Sequence, residues 1–407
     1  MKIKYLAACC AIALFGVMVL SGCREGTMST AGADCTTPGV TRNQVNVGLI
    51  YPDSGVTSNI FTAFRSGIDA RFGAANAAGG INGRHLIYTL RSDEARASVN
   101  LSVSRELVEQ AKVFGILEGS IVASGGADYL AKAEIPVVGL ASEKVWAKYR
   151  NMFTFAYNFP DGAVDTFGKF VKERGGTRAL IFYNGLDATL STPLANQFNI
   201  SLSALGIPAA MVAGDNDPSA TQVEEAIRLI RTNGIDTIIG SLDVKGLAKI
   251  VSAVRQRGLN IKVIVSSSEA PSQDLLAQYG SQLAGMTTVT NYLPLEVESP
   301  ANTAYRKAMS AYAPESRDSG QTLALLGYLI GDIFVRGLQE AGACPTRQGF
   351  IDGLRAVKDY DAGGLLNKID FEADFGKAEE CYSFIQVNST GTGMEVVNTN
   401  FCGSRLN

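Results

Sequence analysis

The sequence predicts an α/β protein of two Rossmann-like, doubly wound lobes. Three observations carry that expectation. Short β-branched runs alternate with helix-spaced segments from residue 45 onward, as the βαβ units of a parallel sheet require. The same rhythm restarts after Phe153. The chain is 407 residues long, more than one core of the usual size of roughly 100–200 residues accommodates.

In the first set, residues 45–51 form a β-branched apolar strand, and 59–77 carry Phe61, Phe64, Ile68 and Phe72 at helical spacing. A strand at 86–90, a helix at 99–111, a strand at 113–117, a helix from 121 and a strand at 136–140 complete it. In the second set, strands are expected at 178–183, 208–212, 237–240 and 262–265, with helices between them. One helix is well marked: Ser219 and Gln222 make a capping-box pattern ahead of Val223, Ile227 and Ile230, and Asn233-Gly234 ends it. A strand at 286–295, helices at 300–312 and 320–341, a segment at 363–371 and a terminal hairpin close the chain. This piecemeal return predicts lobes assembled from discontinuous segments, 44–152 with 287–362 and 153–286 with 363–407.

The N-terminus reads as an export signal. Lys2 and Lys4 precede an apolar run at 11–20, and Leu20-Ser21-Gly22-Cys23 follows. A short apolar stretch before small residues marks cleavage rather than a span, since crossing the bilayer takes about 20 apolar residues. The Leu-Ser-Gly-Cys order resembles the lipobox of bacterial lipoproteins, which implies cleavage after residue 22 and lipidation of Cys23. Residues 23–43 then act as a small, polar tether. The run at 323–335 contains Gly327, Gly331 and Asp332 and is short, so a buried helix is expected there.

The 46% hydrophobic and 18% charged composition is that of a globular protein, and a net charge of −3 gives no electrostatic reason to expect nucleic acid. Cys9 and Cys10 leave with the signal, and Cys35, Cys344, Cys381 and Cys402 remain for two disulfides in an oxidising compartment. Three pairings exist. Cys381 and Cys402 flank two strands joined by the turn at 389–393, which brings them nearly opposite each other and leaves Cys35 with Cys344. A metal site is the weaker alternative, because His85 is the sole histidine and there is no CxxC. No cofactor is expected.

Val47-Gly48-Leu49-Ile50-Tyr51-Pro52-Asp53-Ser54-Gly55, then Gly67-Ile68-Asp69-Ala70, then Asn76-Ala77-Ala78-Gly79-Gly80-Ile81-Asn82-Gly83-Arg84, a strand and Ser92-Asp93-Glu94 follow in order. This series resembles the leucine/isoleucine/valine-binding family of periplasmic solute receptors for ABC transporters, from about residue 45 to 371. The resemblance implies a type I periplasmic binding protein fold, its two lobes joined by three crossing strands, here near 152–157, 287–292 and 363–368. It also implies hinge closure around an amino acid or similar small polar solute. The expected partners are an ABC permease and ATPase, and the membrane through the lipid anchor of a monomeric, extracytoplasmic protein. A ligand sensor that partners a membrane signalling or regulatory protein is the alternative.

Ligands of open α/β sheets sit beyond the carboxyl ends of the strands, where helix N-termini offer free N–H groups. The family's carboxylate-binding loops correspond to Gly119 and Ser120, and to Ala141 and Ser142. Glu143 departs from the pattern, since a negative side chain opposes a carboxylate. Glu269 corresponds to the acidic residue that accepts an α-ammonium. Ile60 and Leu242 hold places where the family's pocket carries aromatic residues, with Phe61 a substitute from the position beside Ile60, and Asp187, on a loop after a second-lobe strand, adds acidic character or caps a helix. Ala188 also stands at such a place, so the usual aromatic lining is missing there, and Tyr157, Trp146 and Tyr183 are the substitutes from neighbouring positions. Ordinary N-caps account equally for the serines.

Catalysis is not expected. No GxGxxG follows the first strand, and there is neither a P-loop nor a GxSxG elbow.

Overall fold

The computed structural model describes residues 35–53, 58–185, 188–267, 269–316 and 321–406. Cys23 and Asp187 therefore lie outside the described residues, as does the side chain of Ile60.

The first lobe opens with β1 (Gln44–Ile50), α1 (Ser58–Ala77), β2 (His85–Arg91), α2 (Ala97–Glu109), β3 (Ile116–Glu118), α3 (Ser124–Lys132), β4 (Val137–Gly139) and β5 (Met152–Phe153). Its strands form an all-parallel sheet in the order β2-β1-β3-β4-β5. Val45, Val47 and Leu49 face one core, and Ile50 faces the other. Burial on both faces is why these strands read as continuous apolar runs rather than alternating ones.

The second lobe contains β6 (Ala163–Val164), α4 (Thr166–Glu173), β7 (Ala179–Asn184), α5 (Ala188–Ala204), β8 (Ala209–Gly214), α6 (Ala220–Asn233), β9 (Thr237–Ser241), α7 (Val244–Gln256), β10 (Val263–Ser266), α8 (Gln273–Tyr279) and β11 (Met286–Thr290). Its parallel strands run β8-β7-β9-β10-β11, the same winding as in the first lobe. The capping box at Ser219 and Gln222 forms, and Gly234 closes α6 at φ 61°. Only that left-handed φ requires glycine there.

The chain then returns to the first lobe as α9 (Pro300–Tyr312), α10 (Thr322–Glu340) and α11 (Arg347–Arg355). By length and composition α10 could cross a membrane. Instead Leu325, Leu329, Ile330, Ile333, Phe334 and Leu338 are buried in the first core, each contributing about 1.5–3 kcal/mol. Finally β12 (Cys381–Val387), antiparallel to β11, and β13 (Met394–Cys402) extend the second sheet, while β14 (Arg405–Leu406) pairs with β6.

Two lobe boundaries differ from the sequence expectation. Residues 287–290 do not belong to the first lobe. Met286, Thr287 and Thr288 register against Ile264, Val265 and Ser266 of β10, so the second crossing starts only at Asn291. Residues 363–371 do not join the second lobe either. Leu365, Leu366 and Phe371 are buried in the first core, and the third crossing follows them. The first delay comes from the ladder to β10 and the second from burial of Leu365, Leu366 and Phe371 in the first core.

The three crossings are knitted together. Asp161 N–H donates to Gly376 O at 2.7 Å between the first and third, and Leu293 N–H of the second donates to Leu365 O of the first lobe at 2.8 Å. Asn291 hydrogen-bonds Glu379. Cys381 and Cys402 pair across β12 and β13 and are joined, as are Cys35 and Cys344.

Candidate functional site

Both sheets present the carboxyl ends of their parallel strands to one cleft of about 620 Å³, within the range of small-molecule sites. The loop after β3 contributes Ser120 and Ile121, and the loop after β4 contributes Leu140, Ala141 and Ser142. Ser267, Glu269 and Ala270 follow β10 on the opposite lobe. Phe61 of α1 lines the cleft as well.

The structure thus brings Ser120, Ala141, Ser142, Glu269 and Phe61 to one space. Gly119 is not on its wall. A β-carbon there would lie 2.6 Å from the Phe64 ring, so the residue is small because α1 packs on it. Leu242 is also off the wall, 4% exposed in the second core with Phe182 and Leu247. As an apolar residue at the end of β9, it gains more by filling the space beneath α7 than by facing a wet cleft. Asp243 caps α7 by accepting from Lys245 N–H at 2.8 Å.

The crossings supply what the loops lack. Phe155, Tyr157, Tyr292, Glu296 and Glu379 line the cleft from hinge segments. Phe167, Phe198 and Tyr382 add aromatic surface from the second lobe. Of the substitutes expected from sequence, Tyr157 serves, while Trp146 is fully buried in the first lobe and Tyr183 packs against the second-lobe core. The signal for the others was available only as an excess of aromatic and acidic residues in crossings whose position local spacing does not define.

Hydrogen bonds fix the first-lobe wall. Ser120 Oγ donates to Asp93 and accepts from Val122 N–H at 2.9 Å. Ser142 Oγ donates to Ser120 O at 2.8 Å. Glu143 is engaged within the protein. Its two carboxylate oxygens accept from Ser124 N–H at 2.8 Å and Ser124 Oγ at 2.7 Å, which caps the start of α3.

The sequence model of the periplasmic binding protein family matches residues 44–392. The chain belongs to that family. Solved structures agree on its fold. A substrate-binding protein of an ABC transporter from Aeropyrum pernix superposes with a TM-score of 0.70 at 16% identity, covering 89% of this chain and 96% of that one. A fatty acid ABC transporter substrate-binding protein from Thermomonospora curvata gives 0.69 at 20%, covering 89% and 94%. A branched-chain amino acid transporter substrate-binding protein from Streptococcus pneumoniae, solved with isoleucine, gives 0.64 at 18%, covering 88% and 100%. A sequence comparison with curated proteins finds no match.

Beneath its first-lobe wall this periplasmic binding protein buries two carboxyl groups, Asp93 and Glu118, both 0% exposed. The Asn100 amide bridges them, at 3.2 Å and 2.8 Å, and its oxygen accepts from Gly126 N–H. Glu118 Oε2 has no partner among the described residues. Burial, with the nearby Asp93 charge, pushes Glu118 up to about 7. Burial likewise pushes Glu379 up to about 8. A carboxyl whose folded value is raised binds more protons folded than unfolded between about pH 4.5 and 8, so folding stability falls as pH rises through that window. The periplasmic binding protein should therefore resist denaturant better at pH 5 than at pH 8. Glu118→Gln should flatten the dependence, as read from unfolding midpoints at both values. An equally steep dependence in the variant would remove Glu118 as its source.

Proposed function

We propose that this chain is the extracytoplasmic solute receptor of an ABC importer, that it closes its two lobes around one small solute, and that acyl chains on Cys23 hold it at the membrane. The carrying observation is the placement of the cleft. It lies at the carboxyl ends of two identically wound sheets, where such sheets bind ligands, and its floor consists of the crossings about which the lobes turn. Closure requires only that ligand favour the closed arrangement. The solved relatives named above as transporter substrate-binding proteins support the same reading, and their different solutes leave the ligand to be decided by this chain's own residues. Anchoring by more than one acyl chain is the stable arrangement.

Glu269, exposed on the second-lobe side of the cleft, is the proposed acceptor for a ligand ammonium. A thermal-shift screen across amino acids, amides, amines and carboxylates tests the role. For any ammonium-bearing ligand found, Glu269→Gln should remove most of the shift, a loss of about tenfold or more in affinity, equivalent to about 1.4 kcal/mol. An undiminished shift in the variant would eliminate that role.

A further inference from the structure

The geometry points to an organic cation as the solute: an amine with an apolar body and no carboxylate. This deepens the receptor reading and rests on it.

The first observation is the charge of the wall. Among the described residues that line the cleft there is no lysine, arginine or histidine, whereas Glu269 and Glu296 line it as carboxylates beside Glu379, which burial keeps mostly protonated at neutral pH. Arg355 hydrogen-bonds Tyr157 of the wall but donates to the carbonyls of Arg150, Met152 and Phe371, and Lys368, Lys377 and Arg405 line an adjoining cavity of about 130 Å³. There Arg405 is already held by Asp374 at 2.7 Å. A ligand carboxylate would enter a closing cleft with like charges and no counter-ion, an arrangement that costs several kcal/mol.

The second observation concerns groups suited to a carboxylate. The serine hydroxyls of the first-lobe wall and the helix terminus beside them are already committed inside the protein. The Ser120 hydroxyl donates to Asp93, and the Ser142 hydroxyl donates to the Ser120 carbonyl. The N-terminus of α3, the natural anion site on this wall, is capped through Ser124 by the chain's own Glu143. Among the described residues, Ser120 N–H and Ile121 N–H remain without acceptors and offer two donors to a ligand oxygen, but with no cation beside them to balance a full negative charge.

The third observation is the lining of the remainder. Phe61, Phe155, Tyr157, Tyr292 and Tyr382 converge on the space. Aromatic faces attract ammonium groups, and rings shelter an apolar body. Tyr292 shares the cleft wall with Glu269 and Glu296, which places an aromatic face and two carboxylates around one space.

Calorimetry on the full chain decides the matter with three matched series. Each sets an amine beside its α-amino acid or its plain acid: isoamylamine, leucine and 4-methylpentanoate; phenethylamine, phenylalanine and 3-phenylpropionate; octylamine and octanoate. In at least one series the amine should bind ten times more tightly than the amino acid, or a hundred times more tightly than the acid. The double change Glu269→Gln with Glu296→Gln should abolish that preference while leaving the ligand-free melting curve in place. An amino acid or acid that binds as tightly as its amine overturns the ligand class and leaves the receptor reading intact. Silence in all three series overturns it too. The receptor reading itself is judged separately, by mass spectrometry of solute released from the purified chain on denaturation.

Discussion

Gly327→Val should unfold the first lobe well before the parent chain, at a cost of about 3 kcal/mol. Gly67 of α1 and Gly327 of α10 face each other's backbones. A β-carbon on Gly327 would lie 1.9 Å from the Phe64 carbonyl oxygen, and one on Gly67 would lie 1.9 Å from the Ala324 carbonyl oxygen. Neither obstacle is a side chain that can turn aside, so the helices must separate. Separation would expose the core around Phe64, Leu325 and Phe334. Gly331→Ala on the same helix is the control, since its new carbon would come no nearer than 3.2 Å to Arg71 Cβ and 3.8 Å to the Ile68 backbone, and alanine favours the helix by about 1 kcal/mol. Denaturant titration should place the valine variant far below the parent and the alanine variant close to it. Equal midpoints for Gly327→Val and the parent would show that the crossing is looser than described.

Arg355→Met should be nearly as costly, about 3 kcal/mol, and should also weaken solute binding. Arg355 of α11 is 7% exposed. Its guanidinium donates to Arg150 O at 3.0 and 2.9 Å, to Met152 O at 2.8 Å and to Phe371 O at 2.5 Å. It lies 4.2 Å from the Phe153 ring centroid and 4.4 Å from that of Phe375. Burial pushes it down to about 10, which still leaves it charged near neutral pH. One side chain thus holds the segments that enter the first and third crossings. Methionine fills comparable space but leaves the carbonyls without donors. Arg355→Lys should recover only part of the loss, because an ammonium cannot span the same fork of acceptors. A methionine variant with unchanged midpoint and affinity would refute the clamp.

The fold was legible where local chemistry repeats. Both sets of βαβ units, the α6 capping box and the hairpin that pairs Cys381 with Cys402 stand within a few residues of where spacing and turn residues put them. What local reading missed depends on distant partners. The crossing after Thr290 is set by β10 beneath it, and residues 365–371 stay with the first core because Leu365 and Phe371 are buried there. The cleft divides in the same way. Ser120, Ala141, Ser142 and Glu269 follow strands whose ends are predictable, and all four line it. Gly119 and Leu242 hold similar positions along the chain but answer to packing against Phe64 and the second core. Glu143 shows the converse: its charge is visible in sequence, whereas its engagement with Ser124 is not.

The bond between Cys35 and Cys344 has a mechanical consequence. Arg84 reinforces it, donating to Thr41 O at 2.7 Å and to Ala343 O at 2.7 Å. Traction applied through the chain ahead of Cys35 therefore enters the first lobe at a covalent rivet to Cys344, just past the end of α10. It does not load the crossings. Under the anchoring proposed at Cys23, the first lobe would be the jaw bolted to its mount and the second the jaw left to swing.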